Sequence, residues 1–489
     1  MKKVVLSLFA FHRQQYLDDA PDSATSGAEG IWESLTHVSQ FLPFEELKPK
    51  ALKSQLISYK YDKETANYQY QSKGEEARQT EWLTRNGRPI EFTAIPTQSG
   101  FELAGNLLPF RLHDTYCLDV TLRPKIEETE IQVEQLTTFK PQVLIDEITA
   151  DLGKVLTLYG ERDEKSQVSL EEAEDEATRW VIALCANTSL QPQFLSKIQL
   201  FNCPCFLFES GNVTIIIGLR QPNQLDAQQS NDAQQSNDDY GRLRELFWAQ
   251  KKIAATYQAA SQSYEDARKI YSHLEKKIDS FEDIVDKPAV QRLKSLESLV
   301  KDIPQDLLIY NRCLRDLEAH KTTIEVNIKI FEKHLNYLSE SPSNSLGFWL
   351  NLTKTKYQQY LDQINIYLAY LKPSQDFLFG EFNSTIRTAN EIEKAKSNQD
   401  VQDNLQALGV GLTLGGVAAG RSGLLTEPWS WKGETVELEL PFPPFLVAML
   451  LGLGFASLGY WGTRCLIKRK RSPTPKSRKM DESGEATHL

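Results

Sequence analysis

Between Ile253 and Phe281 the chain sets apolar or aromatic residues at alternating spacings of four and three. They are Ile253, Tyr257, Ala260, Tyr264, Ala267, Tyr271, Leu274, Ile278 and Phe281. An unbroken repeat of this kind leaves the segment little choice. It forms a helix whose seam packs on other helices with a left-handed supercoil. The pattern returns at Tyr310, Leu314, Leu317, Ile324, Ile328, Phe331, Leu335 and Leu338, and again at Tyr357, Leu361, Ile364, Leu368 and Leu371. Proline disfavours a continuing helix, so breaks are expected at Pro288, Pro304, Pro342 and Pro373. The spacing thus predicts a long antiparallel, coiled-coil-like helical bundle over residues 240–403. The histidines within it, His273, His320 and His334, read as polar residues on the bundle surface.

Residues 1–225 have a different texture and read as a mixed α/β domain. Val4–Phe11 is a buried strand rather than a secretory signal, because His12 and Arg13 end the apolar run and no cleavage site follows. Leu56–Asp62, Tyr68–Gln71, Ile90–Ile95 and Tyr116–Leu122 have strand composition. Ser210-Gly211-Asn212 between two apolar runs signals a hairpin. Pro141–Tyr159 has helical spacing, and Glu171–Ala186 reads as a helix with acidic residues in its first turns. Residues 226–239 contain the tandem repeat DAQQSN-DAQQSN and read as a polar linker.

The net charge of −11 over 489 residues argues against nucleic-acid binding, which needs a basic face. The six cysteines are scattered, unlike a disulfide framework, and Cys203-Pro204-Cys205 matches neither a redox motif nor a zinc half-site. Gly415–Ser422 reads GGVAAGRS, close to a phosphate loop, but it lacks the strand before and the helix after that such a loop requires. No catalytic, cofactor or metal residue is assigned, and the chain reads as a non-enzyme.

Two apolar stretches remain. Phe445–Thr463 is uncharged and is followed by the basic cluster Lys468–Arg471; residues 405–425 are glycine-rich. Together they predict a C-terminal two-helix transmembrane hairpin over residues 404–466, with spans at 405–425 and 445–466 and a basic cytoplasmic tail at 467–489. Gly411, Gly415, Gly416 and Gly420 give the first span a close-packing face, which favours a homo-oligomer. The connection between the spans carries Glu427, Glu434, Glu437 and Glu439, carboxylates that would ring a pore. The fold class expected is therefore α+β: the mixed domain, the bundle and the hairpin in the bilayer of a cell (inner) membrane, with soluble parts and C-terminus cytoplasmic.

This order of parts resembles the CorA-like divalent-cation channel superfamily. The resemblance implies a cytoplasmic α/β domain, long helices running into a first span, a short external loop and a second span. That family's Gly-Met-Asn signature would end the first span, where this chain has Gly420-Arg421-Ser422 or Ser422-Gly423-Leu424, so no residue role is carried over. Two functions are expected. One is a membrane-anchored interaction or signalling protein with a cytoplasmic protein partner. The other is an oligomeric ion channel or channel-like effector with an acidic external loop.

Overall fold

A computed structural model describes residues 1–14, 27–71, 82–162, 170–221, 233–285, 289–394, 430–433 and 436–439. The chain divides into two compact units. One is Met1–Tyr264 with Arg315–Leu368; the other is Glu265–Leu314 with Ala369–Leu489.

The first unit is built on an eight-stranded sheet. The chain enters on β1 (Lys2–Arg13), passes through α1 (Gly30–Val38), α2 (Pro49–Gln55) and the small hairpin β2 (Tyr59–Asp62) with β3 (Asn67–Tyr70), and returns as the meander β4 (Ile90–Pro96), β5 (Glu102–Leu112) and β6 (Thr115–Pro124). After α3 (Pro141–Asp146) a second pass follows: β7 (Gly153–Glu161), α4 (Leu170–Cys185), β8 (Gln193–Leu200), β9 (Cys203–Ser210) and β10 (Val213–Arg220). The spatial order is β4-β5-β6-β1-β7-β10-β9-β8. Only β7 and β10 pair in parallel; the other neighbours are antiparallel.

Successive residues of a strand point to opposite faces, and the two faces have different fates. On the first, Val4, Leu6, Leu8 and Ala10 of β1 join Tyr116, Leu118, Val120 and Leu122 of β6 and Ile215 and Ile217 of β10 in one buried core under α1 to α4. On the second lie Ser7 and Phe9 of β1, Asp119 and Thr121 of β6, and Thr157 and Tyr159 of β7. The long helix α5 (Ala233–Val285) crosses that face: the Phe247 ring meets Phe9 at 5.4 Å, and the Lys251 Nζ donates to the Thr214 hydroxyl at 2.8 Å. Burial pushes Lys251 down to about 7.

Helices α6 (Ala289–Ser339), α7 (Gly347–Lys354) and α8 (Lys356–Lys394) complete the described helices. In the first unit α6 runs antiparallel to α5, with Arg242 on Tyr337 and Glu245 on His334. Helix α8 runs parallel to α5, because Tyr257 stacks on Tyr360 and Tyr264 on Tyr367, at 3.8 and 3.9 Å between ring centroids. The expected all-antiparallel arrangement is corrected there: α7 and the turns around it return the chain beside α5 rather than beyond α6. In the second unit Lys277 pairs with Asp306 at 2.9 Å, and the Tyr310 hydroxyl donates to the Leu371 carbonyl at 2.9 Å. Residues β11 (Ser430–Gly433) and β12 (Val436–Glu439) form a two-stranded antiparallel ribbon.

Other expectations need correction. The helix read over Pro141–Tyr159 stops at Asp146, and its second half is β7. The run Val155–Leu158 is buried on both faces, as a central strand demands, and apolar content alone does not tell that from a buried helix. The second DAQQSN copy is not linker; from Ala233 it forms the first turns of α5. Pro304 and Pro373 lie inside α6 and α8. A mid-helix proline costs ~3 kcal/mol; the buried side chains on either side, Ile303 and Leu307, then Leu371, oppose that loss. His334 is not on the bundle surface but buried, 2% exposed.

The largest correction concerns the membrane. Among the described residues no helix is long and apolar enough to cross one. The long helices combine buried seams with charged outer faces, as at Glu265, Arg268 and Lys269 of α5. The expected spans, 405–425 and 445–466, lie outside the described residues. The architecture described is a mixed α/β sheet domain with long helices, and the transmembrane hairpin is no part of it.

Candidate functional site

The second sheet face is not fully covered by α5. Beside the first turns of that helix, a cavity of about 1100 Å³ opens between the sheet and residues 240–245. Its floor is polar in a way that strand register explains. Asn106 of β5 stands opposite Thr121 of β6, Thr121 opposite Ser7 of β1, and Ser7 opposite Thr157 of β7. Four polar side chains thus form one row across four adjacent strands, and all four line the cavity. With ~4.8 Å between strands the row spans ~14 Å.

The row is only partly satisfied from within. The Ser7 and Thr121 hydroxyls are 2.7 Å apart, and Thr121 donates to Asp119 Oδ1 at 3.0 Å. The Tyr240 hydroxyl donates to Asp119 Oδ2 at 2.9 Å. Among the described residues, the Asn106 amide and the Thr157 hydroxyl have no hydrogen-bond partner, although Thr157 is only 4% exposed. Neither group is among the buried side-chain atoms that lack a partner; both line the cavity, where their hydrogen-bonding capacity is open to a ligand.

Charge around the cavity is uneven in its engagement. Each carboxylate there is occupied. Asp119 accepts from Tyr240 and Thr121, Glu161 pairs with Lys3 at 2.9 Å, and Glu245 meets His334 Nε2 at 2.6 Å. Burial raises Asp119 to about 6, with Tyr240 and the nearby Arg244 charge opposing the shift. Burial, and then the Asp119 charge, push the Tyr240 phenol well above its usual range. Arg244 is differently placed. Its guanidinium carbon stands 5.0 Å from the Phe110 ring centroid, 5.5 Å from Tyr240 and 5.7 Å from Trp82. Among the described residues it has no ion pair and no side-chain hydrogen bond. Arg242 stacks on Tyr337 at 4.7 Å in the same manner. Rings hold these two guanidiniums in place while their N–H groups stay available for an acceptor.

Further along, the cavity is bounded by Tyr159, Cys203 and Arg220. Gly218 is required here: a Cβ would come within 2.5 Å of the Tyr159 ring, so only glycine lets that ring lie across β10. Cys203 and Cys205 open β9 as buried free thiols; their mutual hydrogen bond, followed by burial, moves Cys203 upward, away from a reactive thiolate. Glu245 gives the wall a second contact, because His334 on α6 is buried and its Nδ1 has no partner among the described residues.

The residues singled out from the sequence lie elsewhere. Glu437 and Glu439 fall on β12, in register with Lys432 and Ser430. Glu427, Glu434, Gly411, Gly415, Gly416 and Gly420 lie outside the described residues. The cavity residues were missed, yet they left a signal. In Leu6-Ser7-Leu8, Leu118-Asp119-Val120-Thr121-Leu122 and Leu156-Thr157-Leu158, polar residues interrupt apolar strands at period two.

No family model matches the chain, and no curated protein does. Among solved structures, the chain is similar to one described as the structure of the full-length CmaX protein, at 15% identity over 64% of this chain and 89% of that one, with a TM-score of 0.12. A likeness at that score carries no argument. Nothing in these comparisons links the chain to the CorA-like superfamily, and the ion-transport reading is set aside.

Proposed function

We propose that the α/β unit is a ligand-binding module of an interaction or signalling protein, and that it takes an anionic small molecule into the cavity beneath the start of α5. One observation carries this reading: around a cavity whose carboxylates are all engaged, Arg244 is held by three rings with its donors unspent. A planar guanidinium with a free edge suits bidentate capture of a carboxylate or phosphate. The net negative charge of the chain does not oppose this, since within a partly desolvated cavity the near charges dominate.

A ligand there would touch the helix that also bears Tyr257 and Tyr264, the residues stacked on α8. Occupancy at the head of α5 could therefore be read out along the same helix within this unit.

The test is calorimetric titration of the full chain with pyrophosphate and with citrate. Saturable binding of at least one is expected, weakened more than tenfold in Arg244→Ala and less in Arg244→Lys, which retains the charge but not the fork. Unchanged binding in Arg244→Ala, with circular dichroism showing the variant folded, would overturn the assignment of the anion to this cavity.

A further inference from the structure

The floor of the cavity says more about the ligand than its cationic wall does. Asn106, Thr121, Ser7 and Thr157 are neutral, and each both donates and accepts hydrogen bonds. Such a row offers no countercharge to a second anionic group and little to an apolar tail. It matches a chain or ring of hydroxyl groups, which also donate and accept. The row begins on β5 and β6, the strands of Phe110 and Asp119 around which Arg244 is held, and runs away from that guanidinium to β7. Trp82, 37% exposed, adds an aromatic surface at the Arg244 end, of the kind on which the C–H face of a sugar packs.

Resting on the anion-binding reading above, we infer that the ligand class is a phosphorylated sugar or polyol, with its phosphate on Arg244 and its hydroxyls along Thr121, Ser7 and Thr157. The partnerless amide of Asn106 and hydroxyl of Thr157 are the groups this ligand would satisfy, and a bare phosphate would leave Thr157 as it is. The length of the row, ~14 Å, exceeds what inorganic phosphate could span and is enough for a hexose phosphate.

Calorimetry on the full chain with glucose 6-phosphate, ribose 5-phosphate, sorbitol 6-phosphate, glucose, inorganic phosphate and pyrophosphate separates the possibilities. At least one of the three phosphorylated compounds should bind tenfold or more tighter than inorganic phosphate, and glucose alone far more weakly. Thr157→Val should weaken that compound about fivefold or more and leave inorganic phosphate unchanged, whereas Arg244→Ala should weaken both. If the phosphorylated compounds bind no tighter than inorganic phosphate while pyrophosphate still binds in an Arg244-dependent way, the sugar inference is wrong and the anion site stands. If no anion binds, both fall. Equal loss for sugar phosphate and inorganic phosphate in a folded Thr157→Val also overturns the hydroxyl row.

Discussion

The two faces of the central sheet are made by the same strands and do opposite things. Along β1, Leu6, Leu8 and Ala10 enter a closed apolar core, while Ser7 on the other side joins a polar row at the floor of a cavity. The difference follows from what covers each face. Helices α1 to α4 come from the chain segments between the strands and seal the first face. The second face is covered by α5, which enters from a separate stretch of sequence and leaves its first turns standing off the sheet beside the cavity. One face holds the fold and the other is free to carry polar chemistry.

The contrast breaks first if the sealed face proves tolerant. Leu8 is fully buried between Val120 and Leu156 on the neighbouring strands. Leu8→Ala removes the packed side chain and leaves a cavity, at an expected cost of ~2–5 kcal/mol. Denaturant unfolding followed by tryptophan fluorescence measures it. A loss below ~1 kcal/mol would mean that the first face is not the structural one.

Asp119 sharpens the comparison from the other side, because it is a carboxyl that the second face holds under strain of burial. Its folded value, about 6, lies above the unfolded one of ~3.9. Well below pH ~4 both states are protonated and the group contributes no penalty. As pH rises from ~4 towards 6 the unfolded chain gives up its proton while the folded chain keeps its own, and above 6 the loss levels off. Stability should therefore fall across that window, by up to ~3 kcal/mol. Asp119→Asn should flatten this part of the profile, so the difference between wild type and variant should grow as pH is raised from 4 to 7. Parallel profiles for the two proteins would show that the Asp119 carboxyl is not sensitive to folding.

How much of this was readable in the sequence depends on the range of the interaction. The strands at Val4–Phe11, Ile90–Ile95 and Tyr116–Leu122, the helix at Glu171–Ala186 and the Gly211-Asn212 turn all rest on local patterning, and the structure has an element at each. The seam residues Ile253, Ala260, Ala267 and Leu274 are fully buried. Strand order is not local: nothing within β7 announces that it pairs with β1 on one side and β10 on the other, so a buried central strand looked like half a helix. The site is less local still. Asn106, Thr121, Ser7 and Thr157 are far apart in the chain, and only register brings them into one row. Arg244 reads as an ordinary surface cation of a helix until Trp82, Phe110 and Tyr240 are placed around it. The glycines and glutamates that cluster in sequence, by contrast, mostly fall outside the described residues.

The smallest expected effect is the most discriminating. Thr157 is as buried as a core residue, yet among the described residues its hydroxyl has no partner. Valine has nearly the same shape, so Thr157→Val deletes a hydroxyl that faces the cavity without opening a void. On a face built for stability, such a hydroxyl would be bonded and its removal would cost ~1 kcal/mol or more. On a face built to receive a ligand, its removal should leave stability unchanged within ~0.5 kcal/mol, because that hydroxyl makes no bond within the described protein. Unfolding of wild type and variant in ligand-free buffer decides the matter. A clear loss would place Thr157 in the internal network of the sheet and make the two faces more alike than the register suggests.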